Sequence, residues 1–182
     1  MEQTKSVTLG ILLMLAFAII GPLIDLFAKL AAQEVPIGQI ILSRFILQAL
    51  ILLPVALFVS WAHKPNLLEI RLHFVRALLI LIGTGSFVSA IKYMPLADAM
   101  AIFFVEPFII TLLGGVVLGE TVGYRRLIAC LIGFLGALFI IKPSFSLFGS
   151  VALLPLLTAF SFTFYIFLTR KMAQNMKPVT LQ

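Results

Sequence analysis

Charge is what this sequence has least of. Of its 182 residues only 11% are Asp, Glu, Lys or Arg, and 62% are apolar. A soluble globular domain carries about 25% charged residues. The shortage excludes a water-soluble domain. Cysteine is nearly absent as well: Cys130 stands alone, so no disulfide forms within the chain, and it reads as a small apolar residue of a span. Two histidines, His63 and His73, lie ten apart without a Cys or His cluster. No metal site is expected. There is no G-x-x-x-x-G-K-[ST] stretch, which excludes a P-loop ATPase. The pair Gly83-x-Gly85 lacks the third glycine of a dinucleotide loop. No cofactor is expected, and no nucleophile–base pair marks an enzyme.

Long apolar runs take the place of all these. Six qualify as membrane spans, at roughly 7–28, 37–60, 73–91, 98–118, 125–142 and 149–169. A span needs about 20 mostly apolar residues. Lipid offers backbone groups no partner, so each run must be a helix. A closed barrel would show alternating segments of about ten residues instead. The expected fold is an all-α polytopic membrane protein of about six transmembrane helices, with the lipid bilayer as its surroundings.

The basic residues set the orientation. With the N-terminus in the cytoplasm, the inside segments hold nine, Lys5, Lys64, Arg71, Arg76, Arg125, Arg126, Arg170, Lys171 and Lys177, and the outside segments hold three, Lys29, Lys92 and Lys142. Positive charge favours the cytoplasmic side. The net charge of +6 is therefore a topology signal, not a nucleic-acid footprint. Trp61 and Tyr124 near inner helix ends, and Tyr93 near an outer one, suit the interfaces. A multi-pass protein of the cytoplasmic (inner) membrane with a cytoplasmic N-terminus is expected.

The stretch Lys29 to Ile37, K-L-A-A-Q-E-V-P-I, recurs as K-M-A-Q-N-M-K-P-V from Lys171 to Val179. Gly10 and Gly149 open the helices before them. Five helices separate the copies, so they cross the membrane in opposite senses. Inverted repeats of this kind are a plan of secondary transporters. Residues 7–142 would form one five-helix repeat and 149–182 the first helix of a second, apparently truncated one. Alone, the chain is expected to need a missing C-terminal half or a second copy as a homodimer.

The segment from Pro107 to Pro143 resembles the fourth and fifth helices of an EamA domain, a family within the drug/metabolite transporter superfamily. The resemblance rests on the L-G-E turn at Leu118 to Glu120, the Arg125-Arg126 opening, and G-x-x-G-A-L-x-I-x-K-P from Gly133. A-I-K-Y-M-P-L-A-D-A, Ala90 to Ala99, is similar to that family's hairpin between helices three and four, and Arg44 early in helix two also fits. The likeness covers roughly residues 10–142. It implies ten helices in two inverted repeats with both termini inside, and carrier-type transport of a small-molecule metabolite.

Within the spans a few residues are chemically out of place. Glu106 is the only charge between Ala99 and Gly119. A carboxylate deep in a span costs about 2.5–3.5 kcal/mol, so it usually faces a partner or a cavity. Glu106 lies ~12 Å along helix four and Arg44 ~10 Å along helix two, both from the outer side, at 1.5 Å per residue. The matched depth predicts that they meet, either as a fixed staple or as a substrate or proton site. A carboxylate in a low-dielectric interior tends to protonate unless it is paired. Pro107 removes the helical bond to residue 103 and should kink helix four. Asp25 and Lys29, four apart on helix one, suit an interfacial ion pair or the lining of an outer mouth. Candidate substrate-binding residues are thus Glu106, Arg44 and Asp25. Small residues at Ala129, Gly133 and Ala137, and at Gly85 and Ser89, are spaced for close helix packing. The rival to a carrier is a non-transporting assembly or regulatory subunit, or an inactive fragment. Buried charges argue against a scaffold, which has no use for them.

Overall fold

A computed structural model describes residues 2–60, 66–118, 123–141 and 148–173. The described chain is helical throughout: α1 (Glu2–Glu34), α2 (Ile37–Ser60), α3 (Leu67–Tyr93), α4 (Leu96–Phe103), α5 (Glu106–Leu118), α6 (Tyr124–Ile141), a short 3₁₀ turn (Gly149–Ala152) and α7 (Leu153–Ala173). Five segments are long and apolar enough to cross a membrane: Thr8–Glu34, Ile37–Val55, Leu67–Tyr93, Leu96–Gly114 and Gly149–Ala173. The chain is an all-α, multi-pass membrane protein. The sixth expected span appears as α6, whose 18 residues rise about 27 Å, just short of a hydrocarbon core. Trp61, His63, Lys64, the Glu120 turn, Lys142-Pro143 and the second copy of the Lys-x-Ala repeat beyond Ala173 lie outside the described residues.

Proline and glycine set the breaks. Met94, ahead of Pro95, is extended at φ −135° and ψ 160°, as a residue before proline prefers. The α3–α4 hairpin turns there, and Pro95 starts α4. Pro36 stands just before α2 in the same way. Gly149 has φ +49°, a conformation that glycine adopts without strain, and it opens the 3₁₀ turn. Pro22 and Pro54 lie inside α1 and α2 without ending them.

α3 is the hub. It packs on α1, α2, α4 and most extensively on α7. α3 and α7 run antiparallel, because Arg76 meets Tyr165 while Gly83 meets Thr158 and Phe162. The core closes around the α3–α4 hairpin. Phe87, Ala90, Ile91, Met94, Ala99 and Ile102 are buried there, with Phe148, Val151 and Leu154 packed against them. Most large apolar residues of α1 and α2 remain exposed, as they do when lipid is the solvent.

The α3–α7 seam depends on a missing side chain. A Cβ at Gly83 would stand 2.7 Å from the Phe162 ring. The Thr158 hydroxyl is shared between Leu154 O at 3.0 Å and Gly83 O across the seam at 3.2 Å. By contrast two members of the α6 stripe are open: Gly133 has no atom within 4 Å of its Cβ position, and Ala129 is exposed. Spacing by four showed that close packing was available; only the fold shows where it is used. Gly83→Leu should therefore destabilise the bundle by the 1–3 kcal/mol typical of overpacking, roughly, while Gly133→Ala should be neutral or slightly stabilising. Thermal unfolding in detergent, with both variants side by side, checks this. Equal midpoints would show that the seam tolerates a side chain.

Candidate functional site

Helix four is not a kinked rod. It is two helices, α4 and α5, with a break at Phe104 and Val105. Val105 N–H bonds Ile102 O three residues back at 3.2 Å, so the end of α4 tightens before it stops. Pro107 has no N–H to return to Phe103, and α5 restarts with Phe108 and Ile109 donating to Val105 O at 3.0 and 3.1 Å. Proline fits a first helical turn, where its missing N–H would lack a partner anyway. Glu106 is the first residue of α5, and an acid at a helix N-terminus is favoured by the macrodipole. The sequence called for a kink at Pro107; the geometry interrupts the helix just before it, at Phe104 and Val105. Thr111 then ties α5 down, donating to Pro107 O at 2.8 Å and lying 3.5 Å from Cys130 Sγ of α6.

Glu106 is half-buried, and its Oε1 is fully shielded with no hydrogen-bond partner. Arg44 does not supply one. It is exposed on α2. Matched depth fixed the level of the two residues but not their neighbours: α2 packs on α1 and α3, whereas α4 and α5 pack on α7. The expected Arg44–Glu106 pair is thus not formed among the described residues.

The Asp25–Lys29 pair is replaced. Lys29 Nζ donates to Ile91 O at 3.0 Å and Met94 O at 2.8 Å. These carbonyls lie at the C-terminal end of α3, where a helix leaves acceptors unsatisfied and favours a cation. An ammonium with three donors gains more from two buried carbonyls than from one half-exposed carboxylate a turn away.

Arg76 is the residue that sequence reasoning misplaced. Counted as a cytoplasmic flank, it is 5% exposed inside α3. Its Nη2 donates to the Tyr165 hydroxyl at 2.9 Å, and its guanidinium carbon lies 4.9 Å from the centre of the Tyr165 ring. The signal that finds it is Asn66-x-x-Glu69. Glu69 accepts the Asn66 N–H at 2.9 Å, half of a capping box, which starts α3 at Leu67 rather than near 73. Arg76 then falls more than two turns into the span. Without it the count of inside basic residues is eight against three, 9 − 1 = 8, and its direction is unchanged.

The model of the EamA-like transporter family matches residues 8–142. The chain is 27% identical over 170 residues to a riboflavin transporter of Vibrio cholerae, covering 92% of this chain and 56% of that protein. It is 32% identical over 109 residues to a riboflavin transporter of Rhizobium johnstonii, 60% of this chain and 36% of that one. It is 25% identical over 172 residues to an S-adenosylmethionine uptake transporter of Rickettsia prowazekii, 93% and 58% respectively. The chain spans about half the length of these curated relatives. No solved structure matches.

The two assignments for Lys29 separate by mutation. Lys29→Met should lower stability by about 1–2 kcal/mol, since charged hydrogen bonds contribute about 1.5–3 kcal/mol when fully shielded and this site is half-buried. Asp25→Asn should leave the α3 cap intact and cost less. Thermal midpoints of the two variants in detergent check this; equal losses would restore the Asp25–Lys29 pair.

Proposed function

We propose a carrier function for this chain, which belongs to the EamA-like transporter family. The chain supplies one five-helix repeat and the first helix of a second, inverted one. Together with its counterpart, the repeat moves a small metabolite across the cytoplasmic membrane by alternating access. The relatives named for riboflavin and S-adenosylmethionine support a cargo of that class: a water-soluble metabolite with an aromatic ring system and several hydrogen-bonding groups.

The observation that carries this reading is the break between α4 and α5. Discontinuous helices at mid-membrane are where transporters hold cargo, because they free backbone groups inside a protein-lined interior. Here the break presents Glu106 Oε1, shielded and without a partner. A buried acceptor left unfilled costs about 1–3 kcal/mol or more, which a donor group on a cargo would offset. The placement of α7 supports the two-repeat plan. It packs on α3, α4 and α5, so the first helix of the second repeat covers the interior face of the first. A carrier must load and unload, and a group satisfied only by cargo gives the loaded state a distinct energy.

A second reading keeps Glu106 as no more than the acidic first residue of α5. Uptake separates the two. Glu106→Gln keeps the shape and one acceptor but removes the charge. Proteoliposomes of the intact natural protein should take up labelled riboflavin or S-adenosylmethionine, and the variant should lose tenfold or more at unchanged folding, the equivalent of about 1.4 kcal/mol. Wild-type uptake in the variant would leave Glu106 a helix-start residue. Uptake of no metabolite by the intact protein would favour the assembly subunit.

The same reading sets the topology, with the N-terminus in the cytoplasm. In a background with Cys130 replaced, Tyr93→Cys should label with an impermeant maleimide from outside the cell and Lys64→Cys should not. The opposite pattern would invert the orientation.

A further inference from the structure

Arg76 and Tyr165 stand apart from the α4–α5 break. Phe103, at the end of α4, stacks edge-on against Phe87 of α3 at 5.8 Å, which puts the break near that level of the bundle. Arg76 is eleven residues further along α3, about 17 Å at helical rise. It lies towards the bundle end where α3 begins and α7 finishes. A guanidinium buried in a span is costly unless it is matched by acceptors. Around Arg76 the described residues give it one: the Tyr165 oxygen. Nε is shielded and has no partner at all. The Tyr165 hydroxyl, accepting from Nη2, keeps its own O–H to donate, and among the described residues it has no acceptor. The Tyr165 ring under the guanidinium stabilises the cation without supplying an acceptor. The cluster therefore holds more donors than acceptors, among them a shielded Nε–H and the Tyr165 O–H.

We propose that Arg76 and Tyr165 form a binding subsite for the carboxylate of a small organic anion with an aromatic body. One carboxylate oxygen accepts from Arg76 Nε–H and the other from Tyr165 O–H. A two-oxygen acceptor answers both donors at once, and Arg presents donors in a fixed planar fork suited to that geometry. The aromatic body follows from what lines the approach. Phe103 and Phe162 meet at 5.9 Å, and Phe162 and Tyr165 at 6.3 Å, so a ladder of rings runs from the break down to the guanidinium. An aromatic acid gains stacking along that ladder that acetate cannot. That this anion is the cargo rests on the carrier reading; that it binds does not.

Equilibrium binding of radiolabelled benzoate to the purified intact protein in detergent, at constant ionic strength, tests the subsite. Benzoate should bind saturably in the millimolar range or tighter. Unlabelled benzoate should displace it, acetate should do so at least tenfold more weakly, and neutral benzamide should not compete. Arg76→Gln should abolish binding. Tyr165→Phe, which removes only the hydroxyl, should weaken it about tenfold, and Arg76→Lys, which keeps the charge and loses the fork, should weaken it as much. Arg71→Gln, an exposed cation on the same helix, should bind as wild type. No saturable binding, or competition by benzamide equal to that by benzoate, would overturn the proposal and assign the two donors to water. So would wild-type affinity in Tyr165→Phe and Arg76→Lys, which also decides the matter if Arg76→Gln does not fold. Uptake of labelled riboflavin or S-adenosylmethionine by the same preparation distinguishes the two readings. Transport without Arg76-dependent benzoate binding sinks the subsite alone, and benzoate binding without transport sinks the carrier reading alone.

Discussion

Lipid satisfies no hydrogen bond, and the rest of this structure follows from that. A polar group placed inside the bilayer has only the protein to turn to. The end of α3 shows the constraint met: Lys29 reaches across from α1 to two carbonyls that the helix leaves open. The Thr158 hydroxyl, shared with Gly83 O, does the same across the α3–α7 seam. At two places the constraint is not met. Glu106 Oε1 and Arg76 Nε are shielded and unpartnered, one an acceptor and one a donor. These two groups, of opposite character, are the buried side-chain polar atoms left open among the described residues.

α3 holds the arrangement together because it can come close to its neighbours. Without a hydrophobic drive between helices in lipid, association relies on van der Waals fit and small residues at the contact. Gly83 supplies the fit against Phe162, and Thr158 adds a hydrogen bond at the same point. This seam is also where the helix that would begin a second repeat lies against the first. The contact that stabilises the fold is thus the one across which the two halves of a carrier would have to move.

Much of this was legible in the residues. Apolar run length gave the helices, because span length follows bilayer thickness. Pro95, Pro107 and Gly149 gave breaks, because each acts on its own backbone. The charge imbalance favours a cytoplasmic N-terminus whether or not Arg76, which is buried within α3, is counted. Pairings were not legible. Arg44 and Glu106 were matched by depth, which is a property of one helix at a time; which helices become neighbours is a separate matter, and α2 packs chiefly on α3 and α1. Lys29 was matched to Asp25 by spacing, but spacing takes no account of a third helix whose end offers better acceptors. The α6 stripe read as a packing signal and Gly83 did not, yet Gly83 is the glycine pressed against a ring while Gly133 meets no atom.

The sequence by itself determined the class, the approximate placing of the spans, a bend at Pro107, and the likeness to a transporter family. Each depends on composition or on residues within a turn or two of one another. The tertiary structure decided which helices are neighbours, and with that which polar groups find partners. It moved Arg76 from a cytoplasmic flank to the interior, gave Lys29 to α3, and left Glu106 Oε1 without a partner among the described residues. The physical reason is that a transmembrane helix satisfies its own backbone and is stable without its neighbours. Its sequence therefore specifies the rod strongly and its rotation and partners weakly. Those are chosen by a few close contacts, Gly83 against Phe162 first among them, whose partners lie some eighty residues apart along the chain.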